Sequence, residues 1–225
     1  MRALVIMPHP DDETQFGGLL ARLTEEGNTI EALYLTMGEL GSSDARIRGQ
    51  QLAQIRKREM QLAAEVLGIR IVGCLGLPDM GVKFSDEVVN KIVDIIQKRK
   101  PDVVLAPEPF VSTYNHPDHL TTGKIVYWAW KRLGRKKGLY FFDTRAPNLW
   151  VDVSRWMYRA IASATKHRSQ ILGIFLSLII TYLFYMVWRL CRISVPLRNP
   201  VRSSRVIFPL FLKVDVDKLR ARRKN

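Results

Sequence analysis

Apolar residues change period along the chain, and each change marks an element. Residues 3–7, ALVIM, form the short continuous apolar run of a strand buried on both faces. Residues 14–26 then take helical spacing and stop at Gly27, a residue suited to the left-handed position after a helix. IEALYLTM (30–37) reads as a second strand, followed by a GELGSSD loop. A strongly helical stretch covers 47–67 and ends at Gly68; RIVGCLG (70–76) is a third strand and PDMG (78–81) a turn. Residues 84–99 form a helix closed by Lys/Arg and Pro101, and DVVLAP (102–107) is a fourth strand. A further helix starts at about Pro117, LYFFDT (139–144) and LWVDV (149–153) are late strands, and Ser154 caps a helix that runs toward Gln170.

Strand and helix alternate, which predicts a Rossmann-like three-layer α/β/α fold with a mostly parallel sheet. In such sheets the site lies outside the carboxyl ends of the strands. PHPDDE follows strand one, TMGELG strand two, LPDMG strand three and EPFVSTYNHPDH strand four, so every unusual cluster falls on that one edge.

Charge divides the chain. Residues 1–150 carry 20 Lys/Arg against 18 Asp/Glu, whereas residues 151–225 carry 15 against 3. The first part reads as a nearly neutral, enzyme-sized domain and the last as a basic segment meeting an anionic surface. The two cysteines, Cys74 and Cys191, imply no disulfide framework. MRALVIMP lacks the basic and long apolar regions of a secretory signal, so the catalytic part is expected in the cytosol.

Two clusters carry chemistry. PHPDDE (8–13) offers His9, Asp11 and Asp12; NHPDH (115–119) offers His116, Asp118 and His119, and the remaining histidine is His167. Taken singly, each has a plain reading: an Asx turn with Asp12 capping the next helix, or a helix-start turn with exposed histidine. Taken together on facing loops, they supply the three His/carboxylate ligands of a catalytic metal, with groups left over for proton transfer. The adjacent acids then divide their work, one neutralised by the cation while its neighbour accepts a proton. No Ser nucleophile elbow is present.

These residues also carry a resemblance. The strand running into PHPDDE, TMGELG (36–41), RKREMQLAAEVLG (56–68), LGLPDMG (75–81), NHPDHL (115–120) and VDVSRWMYRAIASATKHRSQ (151–170) follow the order of the LmbE-like or PIG-L family of zinc-dependent de-N-acetylases. That family removes acetyl from N-acetylglucosamine (GlcNAc) units in phosphatidylinositol glycolipids, thiol-cofactor precursors or chitin oligomers. The resemblance covers residues 1–170 and implies that His9, Asp12 and His119 hold Zn2+. It implies Asp11 as general base, and His116 as the charged partner of the oxyanion and amine, kept charged by Asp118. On the same edge, Arg56, Glu39 and Asp79 are candidates for sugar hydroxyls. The plain alternatives are a surface ion pair for Arg56 with Glu59, a turn former for Asp79 and a polar-network role for His167.

The last third departs from that family. ILGIFLSLIITYLFYMVW (171–188) has no charge, is flanked by Lys166, Arg168, Arg189 and Arg192, and places Tyr185 and Trp188 near one end. As a helix it spans about 27 Å, near the hydrocarbon thickness of a bilayer; a fully buried core helix is the alternative. The remainder (189–225) mixes basic residues with VIFPLFL (206–212), which fits lipid-surface contact better than nucleic acid.

The expected organisation is therefore a deacetylase domain (1–170), a transmembrane or membrane-embedded helix (171–188) and a basic membrane-proximal tail (189–225). The expected function is zinc-dependent hydrolysis of the N-acetyl group of a lipid-linked GlcNAc, membrane-associated with the catalytic domain in the cytoplasm. Two rivals stand beside it. One is a deacetylase of a soluble GlcNAc substrate whose C-terminal segment is a homo-oligomer interface, and the other a non-enzymatic membrane adaptor.

Overall fold

The computed structural model describes residues 1–136, 138–174, 176, 179 and 209–214. Its strands are β1 (Arg2–Met7), β2 (Thr29–Tyr34), β3 (Arg70–Cys74), β4 (Val103–Pro107), β5 (Gly138–Phe142), β6 (Leu149–Asp152) and β7 (Pro209–Val214). Its helices are α1 (Gly17–Glu25), α2 (Gln50–Leu67), α3 (Asp86–Arg99), α4 (Pro117–Arg132) and α5 (Met157–Ala164). The sheet order is β3-β2-β1-β4-β5-β7-β6. The first five strands in that order pair in parallel, and β7 is antiparallel to both β5 and β6.

The continuous apolar run of β1 is explained by its central place. Ala3, Val5 and Met7 enter one core with Leu20, Met60 and Leu67, while Leu4 and Ile6 enter the other with Val89, Ile92 and Val126. Strand alternation thus sends one apolar segment into both layers of a sheet covered on both faces. From β1 the chain winds one way to β2 and β3 and the other way to β4 and β5. Beyond the carboxyl ends of β1 and β4 this reversal leaves the crevice where ligands bind in open α/β sheets.

The C-terminal expectations are corrected. Ile174 is buried and Leu172 exposed, and among the described residues no helix is long and apolar enough to cross a membrane. Most of the 171–188 helix expected from sequence, and most of the 189–225 tail, lie outside the described residues. The described part of that tail is β7, which pairs Tyr140 with Val214 on one side and Leu149 with Leu212 on the other. The stretch expected at a lipid surface is therefore a strand inside the sheet. A short apolar run looks alike in either setting, and a proline at the first residue of a strand is tolerated. With no spanning helix among the described residues and this strand in the sheet, the expected membrane-associated placement is overturned.

Candidate active site

β1 ends at Met7, and the Pro8 carbonyl accepts from Thr36 through both its backbone N (2.9 Å) and its hydroxyl (3.0 Å). This ties the PHPDDE turn to the loop after β2. Asp11 lies in the left-handed region at φ 109°, uncommon for a residue with a side chain. Asp12 opens a short 3₁₀ turn (Asp12–Phe16) but caps no helix, since its carboxylate accepts from the backbone N of His9 at 2.7 Å. On the other side of the crevice, His116 is the N-cap of α4 and its Nδ1 accepts from the Asp118 backbone N at 3.2 Å. Pro117 suits the first helical position, and the first turn carries Asp118 and His119 inward, both about 1% exposed. One turn on, Gly123 touches the backbone after β4, where a Cβ would overlap the Pro107 carbonyl; this contact sets how near His119 approaches.

Donor atoms of His9, Asp12 and His119 all lie within 4.8 Å of one another, and so do those of His9, His116 and Asp118. His119 Nε2 stands 3.0 Å from Asp12 Oδ1, and His9 Nδ1 stands 3.6 Å from Asp12 Oδ2. His9 Nε2 meets Asp118 at 3.2 Å and Asp79 at 3.1 Å. Two carboxylates thus hold a proton on Nε2, so that the proton His9 would give up to a cation is the one on Nδ1, which faces Asp12; carboxylates stand behind a ligating histidine in this way. Among the described residues, His119 Nδ1 is buried without a hydrogen bond, and Asp143 Oδ2 is 3.9 Å away. The donor set and this orientation fit a divalent cation among His9, Asp12 and His119.

Electrostatics agrees with that fit. Burial opposes a charge on His9, yet the hydrogen bonds to Asp118 and Asp79 and the charge of Asp12 lift its pKa to about 10. Asp12 falls to about 2, because His119 and His9 outweigh its burial. Negative charge in excess draws a proton onto His9, and a cation would meet the same excess. Burial raises Asp11 to about 6 although Arg56 pulls the other way, and burial raises Asp143 to about 7. His116 is lowered, first by burial and then by the neighbouring His9 and His119.

Arg56 is 3% exposed on α2, so the surface ion pair with Glu59 is not what forms. Its Nη2 donates to Asp11 Oδ1 at 2.6 Å and to the Pro10 carbonyl, and its Nη1 donates to the Gly38 carbonyl at 2.8 Å. Gly38, at φ 62°, has no room for a Cβ because the guanidinium lies against it. Asp79 and Glu39 knit two loops together. Asp79 accepts from the backbone N of Leu40 (2.8 Å) and Met80 (2.9 Å), and Glu39 accepts from that of Asp79 (2.9 Å).

Asp118 stands beside both histidines of its cluster: its carboxylate and the ring nitrogens of His9 and His116 lie within 4.8 Å of one another, and its charge opposes the lowering of His116. The Asp118 carboxylate accepts from Met80 N (2.8 Å) and Val82 N (3.1 Å) and faces His9, because the start of α4 turns it toward the 80–82 loop. Sequence reasoning missed Asp143 and Glu13. Asp143 stands at the end of β5 at φ 59°, where the Gln15 amide, turned nitrogen-first, donates to both its oxygens at 2.6 and 2.7 Å. The third acid of PHPDDE, Glu13, is fully buried, and its only sequence signal was its place in that run.

Comparison with known proteins agrees with this geometry. Residues 4–130 match the family model described as PIG-L: GlcNAc-PI de-N-acetylase. Diacetylchitobiose deacetylase of Thermococcus kodakarensis is 31% identical over 186 residues, covering 75% of this chain and 70% of that protein. A probable N-acetyl-alpha-D-glucosaminyl L-malate deacetylase 2 of Bacillus cereus is 33% identical over 142 residues, 60% of this chain and 63% of its own length. The structure of N,N'-diacetylchitobiose deacetylase from Pyrococcus horikoshii, complexed with its inhibitor MPG, superposes with a TM-score of 0.79 at 24% identity. It covers 95% of this chain and 83% of that one, a shared fold over nearly the whole length. With more than half of its residues matched by the family model and the His/Asp crevice at its switch point, the chain belongs to the PIG-L family of de-N-acetylases.

Proposed function

We propose that this protein is a zinc-dependent hydrolase that removes the acetyl group from a GlcNAc unit joined to a small polar partner. The observation that carries it is the convergence of His9, Asp12 and His119 beside Asp11 and His116 at one crevice. A divalent cation held by His9, Asp12 and His119 would supply Lewis acidity toward the amide carbonyl and toward a water molecule.

The chain's own residues then do the following. Asp11, one oxygen of which is held by Arg56, takes a proton from the attacking water on its other oxygen. His116 accepts at Nδ1 from the helix backbone, so its Nε2 carries the proton and donates to the carbonyl oxygen as negative charge builds there. Collapse breaks the C–N bond, and Asp11 returns its proton to the departing amine, giving acetate and the free amino sugar. In this reading His116 acts as a neutral donor, whereas the family resemblance implies a charged one; Asp118 lies beside it and also meets His9 at 3.2 Å.

A lipid carrier requires residues 171–225 to act as a membrane segment, and the described strand of that segment sits in the sheet. The relatives named above act on a chitin disaccharide and on a GlcNAc–malate glycoside, which favours the soluble class. Acetate release is to be measured across diacetylchitobiose, GlcNAc–malate and detergent-dispersed GlcNAc-phosphatidylinositol, with bound metal counted by mass spectrometry. The expected result is one zinc per chain, activity lost with chelator, and a soluble glycoside turned over fastest. Full activity in metal-free protein sinks the metal reading; preference for the glycolipid sinks the soluble one.

A further inference from the structure

Behind the catalytic turn lies a buried network that the reaction described above does not use. After α5 the chain runs back behind the site as His167, Ser169 and Gln170; the first reaches Glu13 beside Asp11, and the other two reach Glu59 and Gly41 beside Arg56. His167 Nε2 lies 2.6 Å from Glu13 Oε1, with both residues fully buried. The other oxygen, Glu13 Oε2, accepts from the Tyr34 hydroxyl at 3.1 Å and from the backbone N of Asp11, also at 3.1 Å. Ser169 donates to Glu59 through its backbone N (2.8 Å) and hydroxyl (2.6 Å), one helical turn beyond Arg56. The Gln170 amide donates to the Gly41 carbonyl at 2.6 Å, and Gly41 lies against the Arg56 guanidinium.

Backbone geometry gives this network a task. At φ 109°, Asp11 sits in a sparsely populated region that persists only where surrounding contacts over-determine it. Its amide is held by Glu13, and its carbonyl accepts from Thr14 through both backbone N (3.0 Å) and hydroxyl (2.7 Å). Glu13 can serve as that anchor because His167 and Tyr34 fix its carboxylate. Among the described residues, His167 Nδ1 has no hydrogen-bond partner, so the ring's polar contact is with Glu13.

We propose that His167 is a positioning residue that aims the Asp11 carboxylate through Glu13, while Ser169 and Gln170 steady Arg56 from the other side. This rests on Asp11 being the base, so the base is tested in the same experiment. Acetate release on the best substrate of the panel above is measured for wild type, His167→Ala, His167→Gln, Asp11→Asn and the double variant His167→Ala/Asp11→Asn. Zinc content and melting temperature are measured alongside.

His167→Ala is expected to lower kcat about 10- to 100-fold with KM and zinc content held. Gln places a donor near the same point and is expected to restore most of the rate. In the Asp11→Asn background the His167 substitution should cause no further loss, because its effect passes through Asp11. Wild-type kcat in a folded His167→Ala protein overturns the proposal, as does loss of zinc together with activity or an undiminished drop in the double variant. If Asp11→Asn alone keeps the wild-type rate, the base assignment fails and takes this proposal with it. Should His167→Ala not fold, Tyr34→Phe removes another donor to Glu13 and is expected to lower kcat in the same sense; an unchanged kcat there overturns the proposal.

Discussion

The two ends of the sheet both bury carboxylates, and they treat them differently. At the amino end, Glu31 is 1% exposed and accepts from Arg99 Nε at 2.8 Å and from Arg70, while Asp102 accepts from the Arg2 backbone N at 2.7 Å. At the carboxyl end, Asp11, Asp12, Glu13, Asp79 and Asp118 share Arg56 and a set of histidines. Guanidinium stays charged at any working pH, so the amino end is closed and its charge cancelled. Imidazole can give up its proton and offer a lone pair, so the carboxyl end can exchange protons for a cation. One end secures the fold and the other keeps negative charge in reserve.

Substitutions at the two ends should separate these roles, with the largest effect at the catalytic turn. Asp11→Asn should lower the rate of acetate release about 100- to 10,000-fold while zinc stays bound, the loss typical of a removed general base. A drop in zinc content of equal size would instead place Asp11 among the ligands. Chelation should come next. For a cation held at about 100 times its Kd, stripping it should lower the melting temperature by roughly 5–10 °C. Calorimetry should show this in wild type and in Glu31→Gln, and not in Asp12→Ala.

Gly123→Ala tests the backbone contact that places His119. Overpacking there should destabilise the protein by about 1–3 kcal/mol in urea unfolding and weaken metal retention with it. At the closed end, Glu31→Gln should destabilise by about 1–2 kcal/mol at neutral pH without changing kcat. Glu31 is held below its ordinary value, first by the Arg99 hydrogen bond and then, against burial, by Arg70. A lowered folded pKa means stability that is present above the unfolded value and lost as pH falls. The gap between wild type and Glu31→Gln should therefore close below about pH 4.3. The smallest effect belongs to Arg70→Ala, whose side chain is 67% exposed and whose removal should change stability by less than about 1 kcal/mol.

Much of the fold could be read from spacing alone. The apolar run of β1, the periodicity of α2 with Gly68 at its end, and the Ser85-capped α3 each state their conformation locally. Once these elements alternate, their order places PHPDDE and NHPDH at the same sheet edge. β7 was not legible in that way. Its apolar run suits a lipid surface or a strand alike, and its pairing between β5 and β6 depends on partners distant in the chain. Arg56 shows the same limit: helical spacing pairs it with Glu59, yet burial turns the one toward Asp11 and the other toward Ser169.

By itself the sequence determined the chemistry on offer, since His9, Asp11, Asp12, His116 and His119 are the residue types that hold a metal and move a proton. It also determined the elements that carry them, because strand and helix periods are local properties. The tertiary structure decided who serves whom. Asp118 meets His9 as well as lying beside His116, Asp11 bends to φ 109° against Glu13, and His167 reaches Glu13 from 154 positions away. These assignments turn on distances of a few tenths of an ångström between side chains on different elements, and no pattern along a single segment encodes them.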